Sequence, residues 1–118
     1  IQNMLKLFDS ELYYGNIEYK ALIHFSNNIK IERFITQLLF RIREGNGKAI
    51  YIIGITDSGY LFINNLKLLF YSLYNFETKI LLKLNNIKKN HRIFQYKNYI
   101  YCIYTLIDNN NNNNNLEF

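Results

Sequence analysis

The sequence contains no proline and no tryptophan, one cysteine, one methionine and five glycines. A single cysteine, Cys102, excludes an internal disulfide and argues against a cysteine-based zinc site. It fits a reducing compartment, and a cytoplasmic location is the expectation. No apolar stretch approaches the ~18 residues that a membrane-spanning helix needs. The longest apolar runs, Ala49–Ile55 and Tyr99–Ile107, have the length of strands, so no membrane partner is expected. Groupings that carry catalysis are also missing. His24 and His91 have no second ligand at metal spacing, and acid–base work needs a positioned partner. His24 reads as a solvated side chain on the polar face of its strand, and Cys102 as a small buried hydrophobe.

What the chain does have is bulk. Of its 118 residues 49% are hydrophobic and 17% aromatic, too apolar for a disordered chain and enough for one modest core. Asn, Ile, Lys, Tyr and Phe supply more than half of it. All five are encoded by A/T-rich codons, which points to a nucleotide bias in the source genome. The first residue is Ile1 rather than Met, so a fragment is the expectation. The expected organisation is a leader over 1–15 with a short helical turn, an α+β domain over 16–107, and an asparagine-rich linker over 108–118. The seven asparagines 109–115 cannot bury enough apolar area to offset chain entropy.

Hydrophobic periodicity sets the expected elements. Asn16–Phe25 alternates, with Ile17, Tyr19, Ala21, Ile23 and Phe25 apolar, and reads as a half-buried strand. Ser26, Asn27 and Asn28 are candidate N-caps. Ile31, Phe34, Ile35, Leu38, Leu39 and Ile42 then follow on one helix face, with Lys30, Arg33, Gln37 and Arg41 opposite. Gly45-Asn46-Gly47 ends that helix. Lys48–Thr56 reads as a central strand, paired through a turn at Asp57-Ser58-Gly59 with a short strand at Tyr60–Ile63. Asn64 or Asn65 caps a second helix from Leu66 to about Phe76. Thr78–Leu84 reads as a strand, Asn85–Arg92 as a polar basic loop, and Tyr99–Ile107 as a final strand. With right-handed crossovers this order predicts a ferredoxin-like split β-α-β sandwich, a mixed sheet of four to five strands with two helices on one face.

Two segments invite a functional reading. Glu44-Gly45-Asn46-Gly47-Lys48 looks like a phosphate loop, but that motif needs G-x-x-x-x-G-K-[ST] between a strand and a helix. Here Ile42 stands five residues before Gly47, Ala49 replaces the hydroxyl residue, and the loop leaves a helix C-terminus, the wrong end of the dipole for an anion. A glycine C-cap explains it better. The second segment is basic: Lys79, Lys83, Lys88, Lys89, Arg92 and Lys97 occur with no acidic residue between them. With Tyr96 and Tyr99 nearby, Lys83, Lys88, Lys89, Arg92 and Lys97 are the candidate contacts to RNA or the ribosome. A stand-alone RNA-binding α+β module using 79–97 is therefore one functional expectation.

A longer succession carries more information. Gly15-Asn16-Ile17-Glu18-Tyr19-Lys20 precedes Arg33-Phe34-Ile35-Thr36-Gln37-Leu38. Then come Arg41-Ile42-Arg43-Glu44-Gly45-Asn46-Gly47-Lys48-Ala49-Ile50-Tyr51 and Ile53-Gly54-Ile55-Thr56-Asp57-Ser58-Gly59. Across roughly residues 15–63 this resembles the region preceding the GTP-binding domain in the eukaryotic elongation-factor-like GTPases, the GTP-binding protein one and two group. Phe40 stands where the group has Trp, and Lys48 where an acid is usual. The resemblance implies an N-terminal accessory domain of a translational GTPase of the elongation factor Tu/1-alpha type. GTP and Mg2+ are implied for the full-length protein, with the GTP-binding domain of the same chain as partner and the ribosome or RNA beyond it. The group's phosphate loop, D-x-x-G switch and N-K-x-D motif do not occur here: Asp57 is followed at the fourth position by Tyr60. The resemblance therefore transfers no catalytic, GTP-binding or metal residue to these positions.

Overall fold

The computed structural model describes residues 4–109. The asparagine run beyond Asn109 and Leu116-Glu117-Phe118, read above as a linker, lie outside the described residues. The elements run β1 (Ile17–Lys20), α1 (Asn28–Glu44), β2 (Lys48–Ile53) and α2 (Leu66–Asn75). A π-helical turn (Phe76–Ile80) and a 3-10 turn (Leu81–Lys83) follow, then the hairpin β3 (Ile87–Tyr96) and β4 (Tyr99–Asp108). Asn27 caps α1, its Oδ1 accepting the Lys30 amide at 3.0 Å, and Asn65 caps α2 through the Leu68 amide at 2.9 Å. Each side chain satisfies one of the first-turn amides that have no partner inside the helix.

Strand order across the sheet is β1-β2-β4-β3. β1 and β2 are parallel, as the α1 crossover between them requires, and the other two pairs are antiparallel. The fold is α+β, a four-stranded mixed sheet with two helices on one face, compatible with a ferredoxin-like split β-α-β sandwich. That face is the main core. Ala49, Tyr51 and Ile53 of β2 and Cys102, Tyr104 and Leu106 of β4 meet Ile31, Phe34, Leu38 and Ile42 of α1 and Leu69 and Leu73 of α2. Phe76 sits at its centre against Tyr51, Tyr104 and Phe34, with ring centroids 5.3, 5.0 and 5.8 Å away.

The second face of the sheet is covered as well, by residues 4–12. No helical turn forms in this segment. Leu5, Leu7 and Phe8 instead pack on Tyr19, Ile52, Ile55 and Leu61. The segment is tied down by the Leu61 amide donating to the Leu5 carbonyl (2.8 Å), that of Leu7 to Gly59 (2.9 Å) and that of Glu11 to Asp57 (2.7 Å). Gly59 is required here. Its φ is +89°, and a Cβ on it would lie 1.9 Å from the Phe8 carbonyl oxygen.

Several expectations are corrected. Thr78–Leu84 is not a strand: Leu69, Leu73, Phe76 and Ile80 continue one helical face at i, i+4, i+7 and i+11. A strand would have placed Ile80 and Leu82 on the same side, yet Ile80 is fully buried and Leu82 is 73% exposed. The basic loop at Asn85–Arg92 is a strand from Ile87 onward. As an edge strand with little burial it shows no apolar alternation of its own, and pairing with the apolar β4 imposes its conformation. β1 stops at Lys20 rather than Phe25, because the backbone of Ile23 turns to α2. Its amide donates to Ser72 Oγ at 2.9 Å and its carbonyl accepts from Asn75 Nδ2 at 2.9 Å. Tyr60–Ile63 is not a regular strand: it pairs through isolated bridges, Leu61 with Ile55 and Tyr60 with Lys6. Arg41 lies on the buried face of α1, since 34, 38 and 41 follow the i, i+4, i+7 spacing.

Tyr51 provides a check on the core. It is fully buried and its hydroxyl has no hydrogen-bond partner among the described residues. Burial, with the nearby Glu18 charge, pushes its ionisation far above the usual phenol range. Tyr51→Phe removes an unsatisfied polar atom without changing shape, and is expected to raise stability by about 1 kcal/mol. The urea midpoint should move up with an unchanged m-value; a lower midpoint would show that the hydroxyl is paired.

Candidate functional site

The residues of the quoted succession meet in a polar knot where α1 crosses β1. Glu18 and Arg41 are 2% and 1% exposed. Arg41 Nε donates to Glu18 Oε1, Nη1 to the Gly15 carbonyl and Nη2 to the Leu12 carbonyl, each at 2.8 Å. All three guanidinium nitrogens are thus used, as a buried charge requires. Lys20 Nζ lies 3.2 Å from Glu18 Oε2 and 5.0 Å from the Phe34 ring centroid, and donates to Gln37 Oε1. The Gly15 amide donates to Glu44 Oε1 at 3.0 Å, and Asn16 Nδ2 donates to the Lys48 carbonyl at 3.0 Å. Glu11 accepts the Tyr19 amide from the other side of the strand. Burial raises the Glu11 carboxyl above its ordinary range, with that hydrogen bond opposing.

These contacts explain most of the succession by structure. Gly15, Asn16, Glu18, Arg41 and Glu44 join residues 12–20 to α1 and to the loop that follows it. The signal for this knot was available: a carboxylate within an alternating strand, and an arginine at i+3 from Leu38. Sequence reasoning missed it by treating the even face of β1 as solvated, although α1 covers that face.

The phosphate-like loop is fully engaged with the helix end. The Gly45 amide donates to the Arg41 and Ile42 carbonyls, Asn46 to Arg43, Gly47 to Ile42 and Lys48 to Gly45. None of these amides is left to cradle an anion, so the C-cap reading holds. The Gly45–Lys48 segment therefore does not fit a nucleotide phosphate. No group of three or more His, Cys, Asp or Glu able to hold a metal ion occurs among the described residues. Nor is any helix among the described residues long and apolar enough to cross a membrane.

The other singled-out side chains have ordinary partners. His24 Nδ1 pairs with the Tyr71 hydroxyl and its ring stacks on Tyr71. His91 stacks on Tyr104, at 4.9 Å between centroids. Cys102 is fully buried, and burial pushes its thiol up to about 12, which keeps it from acting as a thiolate nucleophile near neutrality.

The basic candidates are exposed but dispersed. Lys83 ends the 3-10 turn, Lys88, Lys89 and Arg92 lie along β3, and Lys97 is in the hairpin turn with φ +55°. Side chains alternate along a strand, so Lys88 and Arg92 share one face and Lys89 projects from the other. Their sequence cluster is therefore not a single cationic surface. The outer side of α1 carries a different feature, an open groove of about 620 Å³ lined by Ile29, Glu32, Arg33, Thr36, Gln37 and Phe40. Arg33, Thr36 and Gln37 belong to the quoted succession yet lie outside the buried core.

Comparison with known proteins gives a partial match. The chain is 43% identical over 47 residues, 40% of its length, to GTP-binding protein 2 of Mus musculus and equally to GTP-binding protein 2 of Homo sapiens. The matched part spans 8% of the length of each relative. No protein-family model matches, and no solved structure matches.

Proposed function

We propose that the chain is the N-terminal accessory domain of a translational GTP-binding protein of the elongation factor Tu/1-alpha type. It is itself non-catalytic and acts by contact with the GTP-binding domain of the same protein and with the ribosome or RNA, in the cytoplasm. The observation that carries this reading is the 43% identity over 47 residues to GTP-binding protein 2. The engaged amides of the Gly45–Lys48 segment support assigning nucleotide chemistry to another part of the protein. In this reading GTP and Mg2+ are bound there, and the α1 groove, whose residues the core does not require, is the surface offered to the neighbouring domain.

The test is the coding sequence downstream of Phe118. It is expected to encode a phosphate loop between a strand and a helix, then a D-x-x-G segment and an N-K-x-D segment. A reading frame that stops at Phe118, or continues without these, would overturn the proposal.

A further inference from the structure

β3 is ten residues long and lies at the edge of the sheet, pairing with β4 alone among the described residues. The direction of its backbone groups follows from its neighbours. The Ile100 amide donates to Ile63 and the Asp108 amide to Gly47, so the even residues of β4 point their amides away from β3; the Asn109 amide donates to Asn86 on the β3 side. In antiparallel pairing the direction alternates residue by residue. With Arg92 opposite Ile103, Lys88, Asn90, Arg92, Phe94 and Tyr96 face β4. The N–H and C=O groups of Lys89, His91, Ile93 and Gln95 point outward, and none of the hydrogen bonds among the described residues engages them. Together they form a free template about 23 Å long.

Charge decides what the template can accept. Lys88 and Arg92 flank the edge on one face, Lys89 on the other, and Lys97 lies at its end, with no acidic residue between Glu77 and Asp108. A second copy pairing edge to edge would bring these cations together, which is unfavourable and is a common protection of exposed edges. A polynucleotide would need the cations on one surface to track its phosphates, and the alternation divides them. An extended acidic strand meets both conditions: its backbone fills the outward groups, and carboxylates on either face find a cation. We infer that β3 is a docking edge for an extended, acidic peptide segment of a partner protein, bound by strand addition.

The test uses the whole chain and a capped ten-residue peptide of Glu-Glu-Val-Val repeats, which carries carboxylates on both faces of an extended strand. Titration followed by amide NMR is expected to shift the Lys89, His91, Ile93 and Gln95 amides. Replacing the peptide's Glu by Gln should weaken binding about tenfold or more. Ile93→Pro removes one outward amide and leaves the bonds to β4 in place, as edge positions allow, and should also weaken binding about tenfold. Lys88→Glu/Arg92→Glu, which leaves the backbone intact, should abolish it. Absence of peptide binding, shifts confined to other surfaces, or affinity unchanged in both variants would each overturn the inference. So would tighter binding of a ten-nucleotide oligouridine, or concentration-dependent dimerisation through β3.

Discussion

Arg41→Ala is expected to lower stability by about 3 kcal/mol, a large share of the ~5–15 kcal/mol that holds a domain of this size together. The cause is the buried carboxylate left behind. Glu18 loses its Nε donor, and the Gly15 and Leu12 carbonyls lose theirs. Removing one member of such a pair costs about 3–5 kcal/mol. The lower end applies because Lys20, 3.2 Å from Glu18 Oε2, remains in place. Replacing both members by apolar residues, Arg41→Met with Glu18→Leu, should recover most of the loss. Urea unfolding measures both variants. A double variant as unstable as the single one would show that the knot contributes more than mutual neutralisation of two buried charges.

Phe76→Ala is expected to cost about 3–5 kcal/mol. Its ring is fully buried and contacts Tyr51, Tyr104 and Phe34, so truncation leaves a cavity lined by three aromatic rings that cannot easily collapse. The same change at Phe70, whose side of α2 is exposed, should cost about 0.5 kcal/mol or less. Near-UV circular dichroism should follow the unfolding curves, since the buried tyrosines lose their fixed environment with Phe76 and keep it without Phe70. Equal losses at the two positions would place the aromatic core elsewhere.

Much of this architecture was legible from local pattern. α1 and α2 declared themselves by helical spacing and asparagine caps, β2 and β4 by apolar runs between turn residues, and Gly45-Asn46-Gly47 by its glycines. The expectations that failed did so where tertiary context overrides pattern. Ile80 and Leu81 are buried by continuing α2 through a π-helical and a 3-10 turn, an outcome that a short apolar run cannot distinguish from a strand. β3 is a strand because β4 pairs with it, although residues 87–92 read as a polar loop. Residues 4–12 form no helical turn because their conformation is set by the sheet face beneath them. Glu18 and Arg41 were misread together, since each is polar at a position whose spacing belongs to the interior. The candidate cations Lys83, Lys88, Lys89, Arg92 and Lys97 are exposed, but the division of Lys88 and Arg92 from Lys89 between two faces required the strand to be recognised first.

Isothermal titration of the 118-residue chain with GTP in the presence of Mg2+ tests most directly the proposal that this unit is non-catalytic and does not itself take up the nucleotide. With the Gly45–Lys48 amides engaged at the end of α1, no saturable heat is expected at micromolar protein. Stoichiometric, saturable GTP uptake by the folded chain would contradict that account.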